Sequence, residues 1–211
     1  VFNINYRLVP DVTVNQQLQD VARALRWIRD HGSQYPCDMR NIMLTGDSAG
    51  GQLAAYSAVL MQSAQLRKTF DTVDPQMELT ALLLTSPVAF MRDGGLFSLY
   101  TKPMWGTDYK DKATYPYMDF DQIIDYAQAL PPTYLITSSG DTLANKQTHR
   151  LYEVLQAHGV QAEIKDYAKA EYDQSLPHVF SVLQPFEPAG TAAIDKALAF
   201  YQQAMTAKAA Q

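Results

Sequence analysis

One serine in a glycine frame, a set of carboxylates and four histidines are the residues in this chain that could combine into nucleophilic chemistry. The serine is Ser48, in the run Ile42-Met43-Leu44-Thr45-Gly46-Asp47-Ser48-Ala49-Gly50-Gly51. An apolar stretch leads into G-x-S-x-G and a helix-prone segment follows. In that strand–turn–helix setting, a serine hydroxyl is held out on a sharp, strained turn. Residues two before and two after such a serine must be small, or their side chains collide across the turn; Gly46 and Gly50 meet that need. The helix that follows aims its first N–H groups at the place where negative charge develops in acyl transfer. The plain alternative is a Gly/Ser turn with no chemistry, and the flanking strand and helix argue against it.

A serine hydroxyl is a weak nucleophile until a base takes its proton, and the base needs an orienting carboxylate. His31 and His158 each precede a glycine at a helix end, and His149 lies early in a helix, so these three read as capping or surface residues. His178 differs: it lies in the loop Ser175-Leu176-Pro177-His178-Val179-Phe180, between the last strand and the last helix. Asp141 directly follows the strand Tyr134–Ser138; its rival role is a helix N-cap. Asp166, Glu171 and Asp173 are rival acids, and Asp173 is the stronger for its nearness to His178.

The elements that must position these groups alternate. Residues 1–10 (VFNINYRLVP) read as a strand ending at Pro10. Asn15 to Asp30 reads as an amphipathic helix, with Leu18, Val21, Ala22, Leu25 and Ile28 on one face and His31-Gly32 closing it. Arg40 to Thr45 is the strand into the elbow and Gln52 to Ser63 the helix out of it. Leu79 to Ser86 is a continuous apolar run, as in a strand buried on both faces. Residues 87–130 are irregular and rich in aromatics, suiting either an apolar pocket or a cover. Further strands are expected at Tyr134–Ser138 and Ala162–Tyr167, and a helix at Lys146–Ala157. A last helix, Ala189–Met205, places Ile194, Ala197, Leu198, Tyr201 and Met205 on its inner stripe, with a frayed tail beyond. Strands alternating with helices mean an α/β chain with a mostly parallel sheet flanked by helices, whose ligands bind beyond the carboxyl ends of the strands. Ser48 and Asp141 both fall there.

At 211 residues one domain, 1–211, is the natural count. The 47% hydrophobic and 18% charged shares suit an ordinary globule, and the net charge of -5 argues against a nucleic-acid partner or an anionic membrane surface. The single cysteine, Cys37, excludes an internal disulfide and fits a reducing cytoplasm. No apolar run is long enough to span a membrane, and the histidines lack metal-ligand spacing such as H-E-x-x-H.

The order Ser48, Asp141, His178 is the Ser…Asp…His order of α/β-hydrolases. The sequence resembles the hormone-sensitive-lipase-like family of that fold, which are carboxylesterases and lipases, over almost its whole length. YRLVP at 6–10 resembles the family's YRLAP, GDSAGG at 46–51 matches its elbow, PPTYLITSSGDTL at 131–143 resembles its acid-bearing strand, and HVF at 178–180 its HGF. The resemblance implies an α/β-hydrolase fold and a serine hydrolase of short- to medium-chain carboxylic esters. In that reading Ser48 is the nucleophile, His178 the base, Asp141 its orienting acid and the Ala49 N–H an oxyanion donor. It implies a small-molecule ester substrate and no cofactor, and leaves open a homo-oligomer. Three departures stand out. Asp141 and His178 are 37 residues apart, longer than the family leads us to expect. Val179 replaces the usual glycine after the histidine. The HGGG-type oxyanion loop, the first strands and the N-terminal cap of the family have no counterpart here, since no glycine precedes Gly32 and Gly94-Gly95 comes too late to substitute. The expectation is therefore a partial domain, with an N-terminal segment of the same protein missing. An amidase or peptidase with the same triad, or a non-catalytic ligand-binding relative, are the rival readings.

Overall fold

The structure, a computed structural model, describes residues 1–92 and 97–210. Its elements in chain order are helix α1 (Val14–His31), strand β1 (Met43–Asp47), helices α2 (Ala49–Leu60) and α3 (Ala64–Phe70), strand β2 (Ala81–Thr85), helix α4 (Phe97–Trp105), strand β3 (Thr133–Ser138), helix α5 (Asn145–Ala157), strand β4 (Ala162–Tyr167), and helices α6 (Lys169–Tyr172), α7 (Phe180–Leu183) and α8 (Pro188–Ala209). The four strands form one parallel sheet in the order β1-β2-β3-β4. This is the α/β architecture that the alternation of elements demands, a parallel sheet flanked by helices. The chain divides into two compact units.

The unit of Asn41–Ala55, Leu79–Ala89 and Leu130–Gln211 holds the sheet. All six residues of β3 are buried, as befits a central parallel strand with helices against it. Helix α8 packs on β2 and β3 through small residues, Ala189, Ala193, Ala197 and Ala204, which let its backbone come close while Phe200 meets Tyr134 at 5.3 Å between ring centroids. The expected stripe on this helix is turned by one position: Ile194 and Leu198 are exposed, and the alanines and Phe200 face the core. A count of large apolar residues misleads on a helix whose close approach needs small ones. Nor does the helix fray after Met205; it runs on to Ala209.

The unit of Val1–Arg40, Tyr56–Glu78 and Phe90–Ala129 is built on aromatics. Tyr56, Phe70, Trp105 and Phe120 are buried, with Tyr56 at 6.2–6.5 Å from each of the other three rings. The Tyr56 hydroxyl donates to the Tyr117 carbonyl at 3.0 Å. Helix α1 matches its expected face, burying Leu18, Val21, Ala22 and Leu25. The stretch 87–130, read as irregular, contains α4 and four short 3-10 turns. Pro103 sits inside α4, and a proline there is a poor signal for a helix. Gly94-Gly95 lies outside the described residues. Residues 1–8 are not a strand. Their exposure alternates with period two down to Arg7, but no ladder partner lies beside them among the described residues, and a strand is defined by its pairing.

Candidate active site

Two of the three expected side chains hang just past a strand end, and the third is brought to them by a loop. Ser48 follows β1 directly with a φ of 52°, left-handed backbone that a serine adopts only when its surroundings over-determine it. Those surroundings are on both sides. The Ser48 N–H donates to Thr85 O at 3.0 Å, and the Ser48 carbonyl accepts from the N–H groups of Gln52 at 3.1 Å and Val88 at 3.2 Å. The turn is thus tied to the end of β2 and to the first turn of α2. A Cβ on Gly46 would stand 2.2 Å from the Gly50 carbonyl oxygen, so position 46 must be glycine. Position 50 differs from expectation, since a Cβ there would meet nothing within 4 Å. It is the Gly50 backbone, not a forbidden side chain, that crowds the turn. The close fit on the helix side is at Gly51, whose Cβ would lie 2.9 Å from that of Pro87.

Asp141 lies three residues past β3 with its side chain fully buried. Its Oδ1 accepts from the N–H groups of Leu143 at 3.0 Å and Ala144 at 2.9 Å, and its Oδ2 lies 2.9 Å from His178 Nδ1. One carboxylate thus both caps the turn and bonds His178. Burial, the largest influence, pushes its pKa up. Hydrogen bonds from His178 and from the Ala144 N–H, the influence of the Ser86 hydroxyl and the charge of His178 outweigh it and hold the carboxyl below its usual value. An ionised carboxylate at Oδ2 places a proton on His178 Nδ1, which leaves Nε2 to accept from the Ser48 hydroxyl 2.8 Å away.

The His178 loop is pinned on both sides. Upstream, Ser138 Oγ donates to Leu176 O at 2.6 Å, and Gly140 allows that carbonyl in, since a Cβ there would be 2.5 Å from it. Leu176 and Phe180 are buried in one cluster with Ile136 and Tyr167, so the histidine stands between two anchored side chains. Val179 takes a φ of 52° where the loop turns into α7. That is backbone suited to glycine, held here by a β-branched residue.

The rivals are occupied elsewhere. Asp166 Oδ2 lies 2.9 Å from His149 Nε2 and accepts from Asn145 Nδ2 at 2.9 Å. Glu171 pairs with Lys165 at 3.0 Å, and Asp173 is the exposed left-handed residue that ends α6. His31 and His158 lie at 2.8 Å and 2.7 Å from the carbonyls of Trp27 and Val154 on their own helices. Sequence reasoning passed over Ser138, Ser86 and Gly140. The pair Ser139-Gly140 marks a turn, but nothing in the spacing marks the two serines. A separate cleft of about 300 Å³, lined by residues 174–175 and 183–187, includes none of the three expected site residues. Among the described residues no three His, Cys, Asp or Glu side chains gather as for a metal.

A serine hydroxyl bonded to an imidazole, itself bonded to a buried carboxylate, can surrender its proton while attacking an electrophilic carbonyl. Known proteins with related chains carry names consistent with that capacity. A probable carboxylic ester hydrolase, LipM, of Mycobacterium tuberculosis is 27% identical over 201 residues, covering 93% of this chain and 46% of its own length. An acetyl esterase of Salmonella choleraesuis is 25% identical over 182 residues, covering 79% and 53%. Among solved structures, Esterase B from Lactobacillus Rhamnosis superposes with a TM-score of 0.88 at 29% identity, over 97% of this chain and 66% of that one. The chain thus spans about half the length of the two sequence relatives. The model of the family described as alpha/beta hydrolase fold matches residues 1–176, and to that family this chain belongs.

Proposed function

We propose that this chain carries the reaction centre of a carboxylic ester hydrolase. The observation that supports it most is the run of two contacts, Ser48 Oγ to His178 Nε2 at 2.8 Å and His178 Nδ1 to Asp141 Oδ2 at 2.9 Å. Ser48 Oγ attacks the ester carbonyl carbon as His178 Nε2 takes its proton. The tetrahedral oxyanion is met by the Ala49 N–H at the start of α2. Collapse breaks the bond to the alcohol oxygen, and the proton on Nε2 goes to that leaving group. Water then attacks the acyl-enzyme with His178 again as base, which frees the acid and restores Ser48. Asp141 keeps Nδ1 protonated throughout.

A second amide donor beside the Ala49 N–H would complete the oxyanion pocket. Short to medium acyl chains are the proposed substrates. The Salmonella relative's name, acetyl esterase, and an Esterase B form described with a C4-C4 tributyrin phosphonate support that size. A reducing cytoplasm is the proposed location, supported by the exposed thiol of Cys37. No helix among the described residues is long and apolar enough to cross a membrane.

The test is a series of nitrophenyl esters from acetyl to long acyl, run with a matched anilide and with Ser48→Ala as control. The reading requires ester turnover that falls with chain length, exceeds anilide turnover, and is lost in Ser48→Ala. Turnover surviving in Ser48→Ala contradicts it.

A further inference from the structure

One residue beside the site has no part in the mechanism above. Ser86 directly follows β2, is 1% exposed, and holds a φ of 46°. Its N–H donates to Ile136 O at 2.8 Å, which locks it against the neighbouring strand two residues before β3 ends. Two residues on, Val88 N–H bonds the Ser48 carbonyl, and Ala89 N–H bonds the side chain of Gln147 at 2.8 Å. The segment leaving β2 is thus fastened to the nucleophile's turn on one side and to α5 on the other. A serine in left-handed backbone there is a strained choice that glycine would relieve.

Its hydroxyl lies near the Asp141 carboxylate and helps hold that group's pKa down. Yet the Ser86 Oγ is buried and has no hydrogen bond of full geometry among the described residues. On the other side, a carboxylate offers about four lone-pair sites. Three at Asp141 are taken, by Leu143 N–H, Ala144 N–H and His178 Nδ1. A buried donor without an acceptor therefore stands beside a buried acceptor with one site open, and each is costly to leave unmet.

We propose that Ser86 is a positioning residue of the site: its hydroxyl donates to the remaining lone pair of Asp141 and fixes the carboxylate in the orientation that receives His178 Nδ1–H. This rests on the reading of Ser48, His178 and Asp141 given above. The bond matters most when His178 becomes imidazolium, because a carboxylate free to swing then loses its alignment with Nδ1. The Ser86 hydroxyl bonds neither Ser48 nor His178, so in this proposal it acts through Asp141.

The test is the second-order rate at which a fluorophosphonate labels Ser48 in the native chain, Ser86→Ala, Ser86→Gly, Asp141→Asn and the double variant Ser86→Ala/Asp141→Asn, with thermal melts alongside. Both single Ser86 variants should label about tenfold more slowly, the worth of one hydrogen bond to a charged group, while remaining folded. Adding Ser86→Ala to Asp141→Asn should cost less than about twofold further, because the two act as one unit. A full labelling rate in Ser86→Ala overturns the proposal. So does a normal rate in Ser86→Gly alone, which would assign the effect to backbone strain. So does an undiminished loss in the double variant, which would show action through the fold at large. In each of these cases the Ser48 nucleophile stands. A native chain that fails to label at Ser48 overturns the proposed function, and the role of Ser86 with it.

Discussion

The sheet unit and the aromatic unit place their strained backbone differently. Among the described residues of the sheet unit, the non-glycine ones with left-handed φ are Ser48, Ser86, Asp173 and Val179. Three of them carry or flank the groups that meet at the strand ends, and Ser86 and Val179 are buried. Among the described residues of the aromatic unit the corresponding ones are Asp71 and Gln76, both exposed, one ending α3 and one in the loop that follows. Strain at an exposed turn relaxes cheaply. Strain in a buried turn persists only when packing and hydrogen bonds enforce it, and it recurs where a side chain must be held in one direction. One unit therefore invests its packing in orientation, and the other in a core of rings that tolerates irregular backbone around it.

That contrast can be broken by substitution. The largest effect is expected from Asp141→Asn, which keeps the shape and loses the orienting charge. Ester turnover should fall by about 10⁴. Phe120→Ala in the ring cluster should instead destabilise by about 4 kcal/mol in urea unfolding, since it empties a fully buried aromatic site. If the two variants showed the same balance of lost activity and lost stability, the distinction between the units would fail. Gly46→Ala should cost about 3 kcal/mol and slow labelling of Ser48, because its Cβ would strike the Gly50 carbonyl. Ala at Gly50, where space is open, should cost much less.

A smaller effect follows from pH. The Asp141 carboxyl has a folded pKa below its ordinary value. The stability it supplies is therefore present above the unfolded value, about 4, and is lost as pH falls through the folded one. Urea midpoints should drop on acidification below that range, and Asp141→Asn should flatten the drop. The smallest effect is expected from Asp173→Asn, the rival acid. Ester turnover should stay within about twofold, since this side chain is exposed at the end of α6 and the carboxylate bonded to His178 is that of Asp141.

Much of the sheet unit was legible in the sequence because its signals are short-range. The β4 bounds Ala162–Tyr167 agree with expectation, β3 gains only Thr133, and α5 only Asn145. The two catalytic candidates at strand ends followed from the rule for parallel sheets, and the third from its loop. What was not legible depends on neighbours distant in sequence. The face of α8 is set by how closely a helix can approach β2 and β3, which no periodicity of Ile194 and Leu198 reports. Residues 1–8 alternate as a strand would, yet pairing belongs to two segments and not one. Helices α3 and α4 fell in stretches too short, or too interrupted by Pro103, for a periodic signal. The hold of Ser138 on Leu176 joins residues 38 apart, and only the folded chain reveals it.

The central claim is that Ser48 Oγ is made reactive by His178. Peptide mapping after exposure to a fluorophosphonate reads it most directly, in the native chain and in His178→Ala. The expected result is one adduct, on the peptide holding Ser48, that disappears in His178→Ala while the variant keeps its fold. An adduct on another residue, or equal labelling of Ser48 without the imidazole, would contradict it.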